Sequence, residues 1–216
     1  MKKNLTEIVF ILDRSGSMAG LEADTIGGFN GMLQKQKDLP GDAYISTVLF
    51  DHESVVIHDR VDIQTVAPLT RREYYVRGCT ALLDAVGNAI QHIRNIHKYA
   101  REEDRPEKTL FVITTDGMEN ASRRYTYDKV SSMIQQQQER HGWEFLFLGA
   151  NIDAAKEAAR FGIHPDHAAD YHADHQGTGV IYETLSEAIT QARCCAAPLA
   201  ANWKDKVDAD YRKRRK

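Results

Sequence analysis

The chain reads as an α/β domain built on a doubly wound, mostly parallel sheet, with one antiparallel edge strand and helices on both faces. Three observations carry that reading. Residues 8–12, 110–114 and 145–148 are apolar runs without polar alternation, the pattern of strands covered on both faces. The segments between them space apolar residues three or four apart, as a helix with one buried stripe does. Two β-rich runs, 43–50 and 54–58, are joined by only Asp51, His52 and Glu53, which makes a hairpin and turns one edge strand antiparallel. Repeated strand-helix units demand right-handed crossovers, so the whole is Rossmann-like.

Taken in order, the first strand ends at Asp13, and Ile26, Phe29 and Leu33 mark the first helix. After the hairpin, Leu83, Val86, Ile90 and Ile93 mark the second. The charged segment 101–107, with Pro106, reads as an exposed loop before the next strand. Tyr127, Val130 and Ile134 mark a third helix, with Gln135 to Gln138 on its solvent side. An alanine-rich helix over 154–161 is closed by Gly162 as its C-cap, and 168–171 forms a short strand. Ile181, Leu185, Ala188 and Ala192 belong to a final helix that Pro198 interrupts. Residues 1–197 are thus expected to be a single domain and 198–216 a basic tail.

At 216 residues, 42% hydrophobic and 27% charged, the chain suits one globular domain. No apolar run approaches the ~20 residues of a membrane helix. Met1, Lys2 and Lys3 imitate a signal sequence, but the apolar run behind them stops at Asp13, so a cytoplasmic, membrane-free protein is expected. Three cysteines without a CxxC pair point to reduced thiols. The net charge is −3, and residues 212–216 are all basic, which leaves −8 on the rest by subtraction. A solvated, frayed terminus accounts for such a tail, and an acidic body argues against nucleic-acid binding.

The chemistry concentrates where strands end. In parallel α/β sheets, ligands collect beyond the carboxyl ends of the strands, at the point where strand order reverses. Asp13 lies at such an end and opens Asp13-Arg14-Ser15-Gly16-Ser17-Met18. Asp116, followed by Gly117, ends a second apolar strand, and Thr80 opens the second helix within Gly78-Cys79-Thr80-Ala81-Leu82. Two carboxylates and three hydroxyls are hard oxygen donors that suit Mg2+ or Mn2+. The two negative charges balance a divalent ion and leave it able to take one more anionic oxygen from outside. The alternative for the first motif alone is a strand-to-helix turn capped by serine.

The set Asp13-x-Ser15-x-Ser17, Thr80 and Asp116-Gly117 resembles the metal-ion-dependent adhesion site of the von Willebrand factor type A family, over roughly residues 5 to 195. The resemblance implies Ser15, Ser17 and Thr80 as direct ligands, with Asp13 and Asp116 acting in support, often through water. It also implies a cytoplasmic bacterial-type member working as a protein-binding module whose Mg2+ or Mn2+ captures a partner's Asp or Glu. An AAA+ ATPase is one such partner. Cys79 departs from the family pattern, which has a second glycine there.

Other features read differently. His164, His167, His172 and His175 suggest zinc at first sight, but their spacing fits no helical ligand pair and the intervening strand would scatter them. Asn151 or Asp153 reads as a helix N-cap, Asn151 lining the site being the alternative. Glu119 and Asn120 lie close enough to Asp116 to tune it, or are plain surface. Asp84 caps or braces its helix, and Glu22, Asp24, Arg71, Arg72 and Arg77 belong to solvated faces. No nucleophile–base order or phosphate-binding loop is visible, so no enzyme is expected. The alternative, a metal-dependent phosphohydrolase or phosphotransferase with Asp13 as nucleophile, lacks the second carboxylate at position 15.

Overall fold

The strands are β1 (Lys2–Asp13), β2 (Asp42–Phe50), β3 (Ser54–Asp62), β4 (Pro106–Asp116), β5 (Glu144–Ala150) and β6 (Ala168–Tyr171). In this computed structural model, which describes residues 1–195 and 197–214, they form one sheet in the order β3-β2-β1-β4-β5-β6. Only β3 runs antiparallel to its neighbour. β1 shows why its sequence lacks alternation. Ile8, Phe10 and Leu12 enter one core, while Val9 and Ile11 enter the other.

The first core is closed by α1 (Glu22–Lys37), α5 (His175–Cys194) and α6 (Asp205–Arg214), the second by α2 (Leu82–Tyr99), α3 (Tyr127–His141) and α4 (Ala154–Arg160). Phe10 meets Phe29 of α1 edge-on at 5.1 Å. Among the described residues, no helix is long and apolar enough to cross a membrane. β1 and β4 are adjacent, yet the chain leaves β1 toward β2 and leaves β4 toward β5. Their carboxyl-end loops therefore diverge and open a crevice.

Four details differ from the sequence reading. β4 starts at Pro106, which is buried as the strand's first residue, where a missing N–H disturbs no ladder. Gln137 is buried because it continues the stripe of Val130, Met133 and Ile134 on α3. The last long helix begins at His175, with the Asp174 carboxylate accepting from the Gly177 amide at 2.7 Å.

The fourth concerns the C-terminal segment, read as a solvated tail. Leu199, Trp203 and Val207, spaced by four, are buried in the first core. The Trp203 indole donates to the Asp166 carbonyl at 2.8 Å, and Arg214 pairs with Asp174 and Asp210 at 2.5 Å each. The run of positive charge hid this apolar spacing. Residues 215 and 216, the last two of the basic run, lie outside the described residues.

Trp203→Ala is expected to destabilise the domain by about 3–5 kcal/mol, read as a lower urea midpoint at unchanged slope. Lys213→Ala should stay within about 0.5 kcal/mol of the parent. Equal midpoints for both variants would show that the segment adds nothing to the fold.

Candidate functional site

Asp13 is the last residue of β1, and β4 lies alongside with Leu12 opposite Thr114. That register puts the Thr115 hydroxyl 2.8 Å from Asp13 Oδ2, which also accepts from the Asp116 amide at 3.2 Å. Oδ1 accepts from the Ser15 amide at 2.7 Å, and the Tyr74 hydroxyl holds the Asp13 carbonyl at 2.6 Å. Asp13 and Asp116 are 1% and 2% exposed. Burial pushes the Asp13 carboxyl above its ordinary value, against the pull of its hydrogen bonds. Burial also raises Asp116; its bond from Asn151 opposes this and the charge of Asp13 adds to it.

Asn151 therefore faces the site, donating from Nδ2 to Asp116 Oδ1, and its backbone is left-handed at φ 55°, which asparagine tolerates. Asp153 is the cap of α4, accepting from the Lys156 amide at 2.9 Å. The Ser15 and Ser17 hydroxyls lie 3.1 Å apart. Across from them, a Cβ on Gly117 would sit 3.7 Å from Ser17 Oγ, so the turn after β1 touches the loop after β4.

The Thr80 loop is stitched to both neighbours through its backbone. Gly16 N–H donates to the Gly78 carbonyl at 3.1 Å and Arg77 N–H to the Arg14 carbonyl at 2.9 Å. The Thr80 amide donates to Asn120 Oδ1 at 2.9 Å, and the Asn120 amide returns a bond to the Thr80 carbonyl at 3.0 Å. Asp13, Ser15, Ser17 and Asp116 thus form one contact network, with Thr80 tied in by main-chain bonds. The left-handed residue of its loop is Gly78, at φ 70°, and not Cys79, so cysteine carries no backbone strain there.

Two polar hubs surround these loops; of them, the sequence indicated only that Asp84 caps or braces its helix. Asp51, in the hairpin turn, is fully buried and accepts from Arg14 Nε and Arg77 Nε at 2.8 Å each, from the Glu53 amide at 2.9 Å, and faces His52 Nδ1 at 2.9 Å. Its carbonyl accepts from the Ala81 amide at 2.7 Å. Burial opposes its ionisation, but the Glu53 amide and both guanidinium groups hold its carboxyl below the usual range. Arg77 is therefore a brace between loops and not part of a solvated face. Arg14 is buried, with Nη1 on the Glu73 carbonyl at 3.2 Å.

The second hub closes the start of α2, whose own N-cap position, Ala81, offers no side-chain acceptor. Glu119 Oε2 accepts from the Leu83 amide at 2.8 Å and Ser122 Oγ from the Asp84 amide at 2.9 Å. In return the Asp84 carboxylate accepts from the amides of Arg123, Arg124 and Tyr125, each at 2.9 Å. Residues nearly forty positions away thus satisfy two of the orphan donors of the helix.

The histidine cluster disperses. His164 faces Asp166 at 3.4 Å, His172 stacks on Tyr211 at 4.6 Å, and His175 binds Asp24 at 2.6 Å. Among the described residues, no group of three or more His, Cys, Asp or Glu side chains could hold a metal.

At the level of sequence, neither a family model nor a curated protein matches the chain. Solved structures do. The von Willebrand factor domain of the type V pili tip protein Mfa5 from Porphyromonas gingivalis matches with a TM-score of 0.66 at 12% identity, over 89% of this chain and 97% of that one. Proximal thread matrix protein 1 from the mussel byssus, with a zinc-occupied adhesion-site motif, matches at 0.59 and 16% identity, over 86% and 46%. The ArnB paralog VWA2 from Sulfolobus acidocaldarius matches at 0.54 and 18%, over 87% and 45%. The chain spans less than half the length of the mussel and Sulfolobus proteins. These likenesses show that its fold is that of a von Willebrand factor type A domain.

Asp51→Asn is expected to cost about 3–5 kcal/mol at neutral pH, because it leaves the buried Arg14 guanidinium without its counter-charge. A carboxylate held below its unfolded pKa contributes stability above that pKa and loses it as pH falls below. The gap to the parent should therefore be full at pH 7 and narrow as pH falls below about 4, measured by thermal melts across that range. A gap of the same size at both ends would refute the ion-pair account.

Proposed function

We propose that the three loops hold a divalent cation, Mg2+ or Mn2+, and that the ion captures an acidic side chain of a partner protein. One observation carries this reading: Asp13 and Asp116 are both buried and, among the described residues, neither is in an ion pair. Buried carboxylates without a cation are expensive. Arg14, next in sequence to Asp13, is the obvious counter-ion, yet its guanidinium is committed to Asp51. Burial already raises both carboxyls toward protonation, and a bound cation would balance their charge in the ionised form.

The donor set suits a hard ion. Ser15, Ser17 and Thr80 offer neutral hydroxyls for direct ligation. Asp13 and Asp116 balance the charge from behind, since both Asp13 oxygens already accept bonds from the protein. When bound, the ion would supply an electrophilic position for one carboxylate oxygen. The mussel protein, with zinc in its motif, supports the divalent reading, and pilus components among the structural neighbours support protein binding in assemblies. The AAA+ ATPase as partner rests on the family resemblance alone. The same occupied oxygens speak against Asp13 as a nucleophile, and with it against a phosphohydrolase.

Mg2+ or Mn2+ at about a hundred times its Kd is expected to add about 2.7 kcal/mol, or roughly 5–10 °C in Tm. EDTA should reverse this, and Asp13→Ala, Thr80→Ala and Ser15→Ala/Ser17→Ala should abolish it. A parent protein whose Tm ignores both ions, or variants that keep the shift, would sink the proposal. A phosphatase assay with a chromogenic ester and Mg2+ should show no turnover.

A further inference from the structure

The loops around the site treat their two signs of charge differently. Apart from Asp13 and Asp116, residues 14–20, 51–53, 70–81 and 117–126 carry six arginines and four acidic residues, a surplus of +2 on a chain whose net charge is −3. All four acids are engaged by the protein. Asp51 holds Arg14 and Arg77, Glu53 faces Arg77 at 3.5 Å, and Glu73 accepts from Thr70 at 2.5 and 3.0 Å. Glu119 accepts from the Leu83, Ala121 and Ser122 amides.

The arginines beyond Arg14 and Arg77 are in the opposite situation. Arg71, Arg72, Arg123 and Arg124 are exposed, and among the described residues none is in an ion pair. The first two belong to the segment that delivers Thr80. The amides of the last two are pinned to Asp84 in the first turn of the helix that Thr80 precedes. The two arginine pairs thus sit on the segments that carry Thr80 and follow Asp116, which the Thr80–Asn120 bonds join. Tyr75, 45% exposed and 5.7 Å from the Arg77 guanidinium, and Met118, 59% exposed, add apolar contact area on the same loops.

We propose that the partner presents an acidic segment, not a lone carboxylate. One Asp or Glu meets the metal, and its acidic neighbours in the partner's chain pair with Arg71, Arg72, Arg123 and Arg124. This rests on the metal reading above for its central contact. It goes beyond it in assigning specificity to the arginine rim, which selects acidic stretches and speeds their encounter.

The test is fluorescence anisotropy with two labelled peptides of equal length, hexa-aspartate and a Gly/Ser peptide with one central Asp, in Mg2+ and physiological salt. Hexa-aspartate should bind at least tenfold tighter. Arg71→Glu/Arg72→Glu and Arg123→Glu/Arg124→Glu should each weaken it at least tenfold while leaving the single-Asp peptide within twofold and Tm unchanged. Equal affinities for the two peptides, or charge reversals without effect, would overturn the proposal. So would competition by single-stranded oligo-dT as effective as by unlabelled hexa-aspartate, which would mark a general polyanion surface. Hexa-aspartate binding that survives EDTA but falls on charge reversal would overturn the metal reading and leave the rim standing.

Discussion

The side-by-side pairing of β1 with β4 is the constraint on which the rest of this structure depends. Leu12 opposite Thr114 brings the next residues, Asp13 and Thr115, within hydrogen-bonding range, and the Asp116 amide follows onto the same carboxylate. A slip of one residue would turn the side chains of β1 to the opposite faces, exchanging the set that enters each core. Phe10 against Phe29 on one face, and Val9 and Ile11 on the other, make that slip expensive. The two cores therefore hold the carboxylates at the switch point, and packing far from the crevice specifies its chemistry.

Charge is then sorted by geometry and not by sequence proximity. Asp13 and Arg14 are neighbours in the chain, and on a strand end consecutive side chains diverge. Arg14 turns to Asp51 in the hairpin turn, while Asp13 turns to β4. The hairpin, a peripheral feature of the topology, thereby acquires a role at the centre: its turn carries the carboxylate that holds Arg14, the cation next in sequence to Asp13, away from it. Arg77 joins the same carboxylate from the Thr80 loop, so one buried acid fastens two of the three loops.

How much of this could be read in advance depended on whether the signal was local. The buried strands, the hairpin, Gly162 at a helix end and the motif residues themselves are local patterns, and each is where the sequence indicates. The partners of Asp51, Asp84, Glu119 and Asn151 are not local: the sequence suggested a brace at Asp84 and left Glu119 and Asn151 between site and surface, because their partners lie tens of residues away. Gln137 and the segment from Leu199 to Val207 failed for a different reason. Polarity in one case, and a dense run of positive charge in the other, masked a helical period that was present.

The start of α2 decides what kind of anion recognition this pole can support. A helix N-terminus with free amides is a ready anion site, and α2 begins two residues after Thr80, where such a site would compete with a metal for a partner's carboxylate. Here it is closed from within. Glu119 takes the Leu83 amide and Ser122 the Asp84 amide, while the Asp84 carboxylate adds a negative charge to the same turn. With these two donors consumed, the helix start is a poorer backbone cradle for an incoming acidic group. Under the proposed function, its recognition would fall to the hydroxyl-bearing loops, to Asp13 and Asp116, neither of which is in an ion pair among the described residues, and to the exposed arginines. On the proposed metal reading, that division would make capture conditional on a cation, a control that a helix terminus, always positive, does not offer.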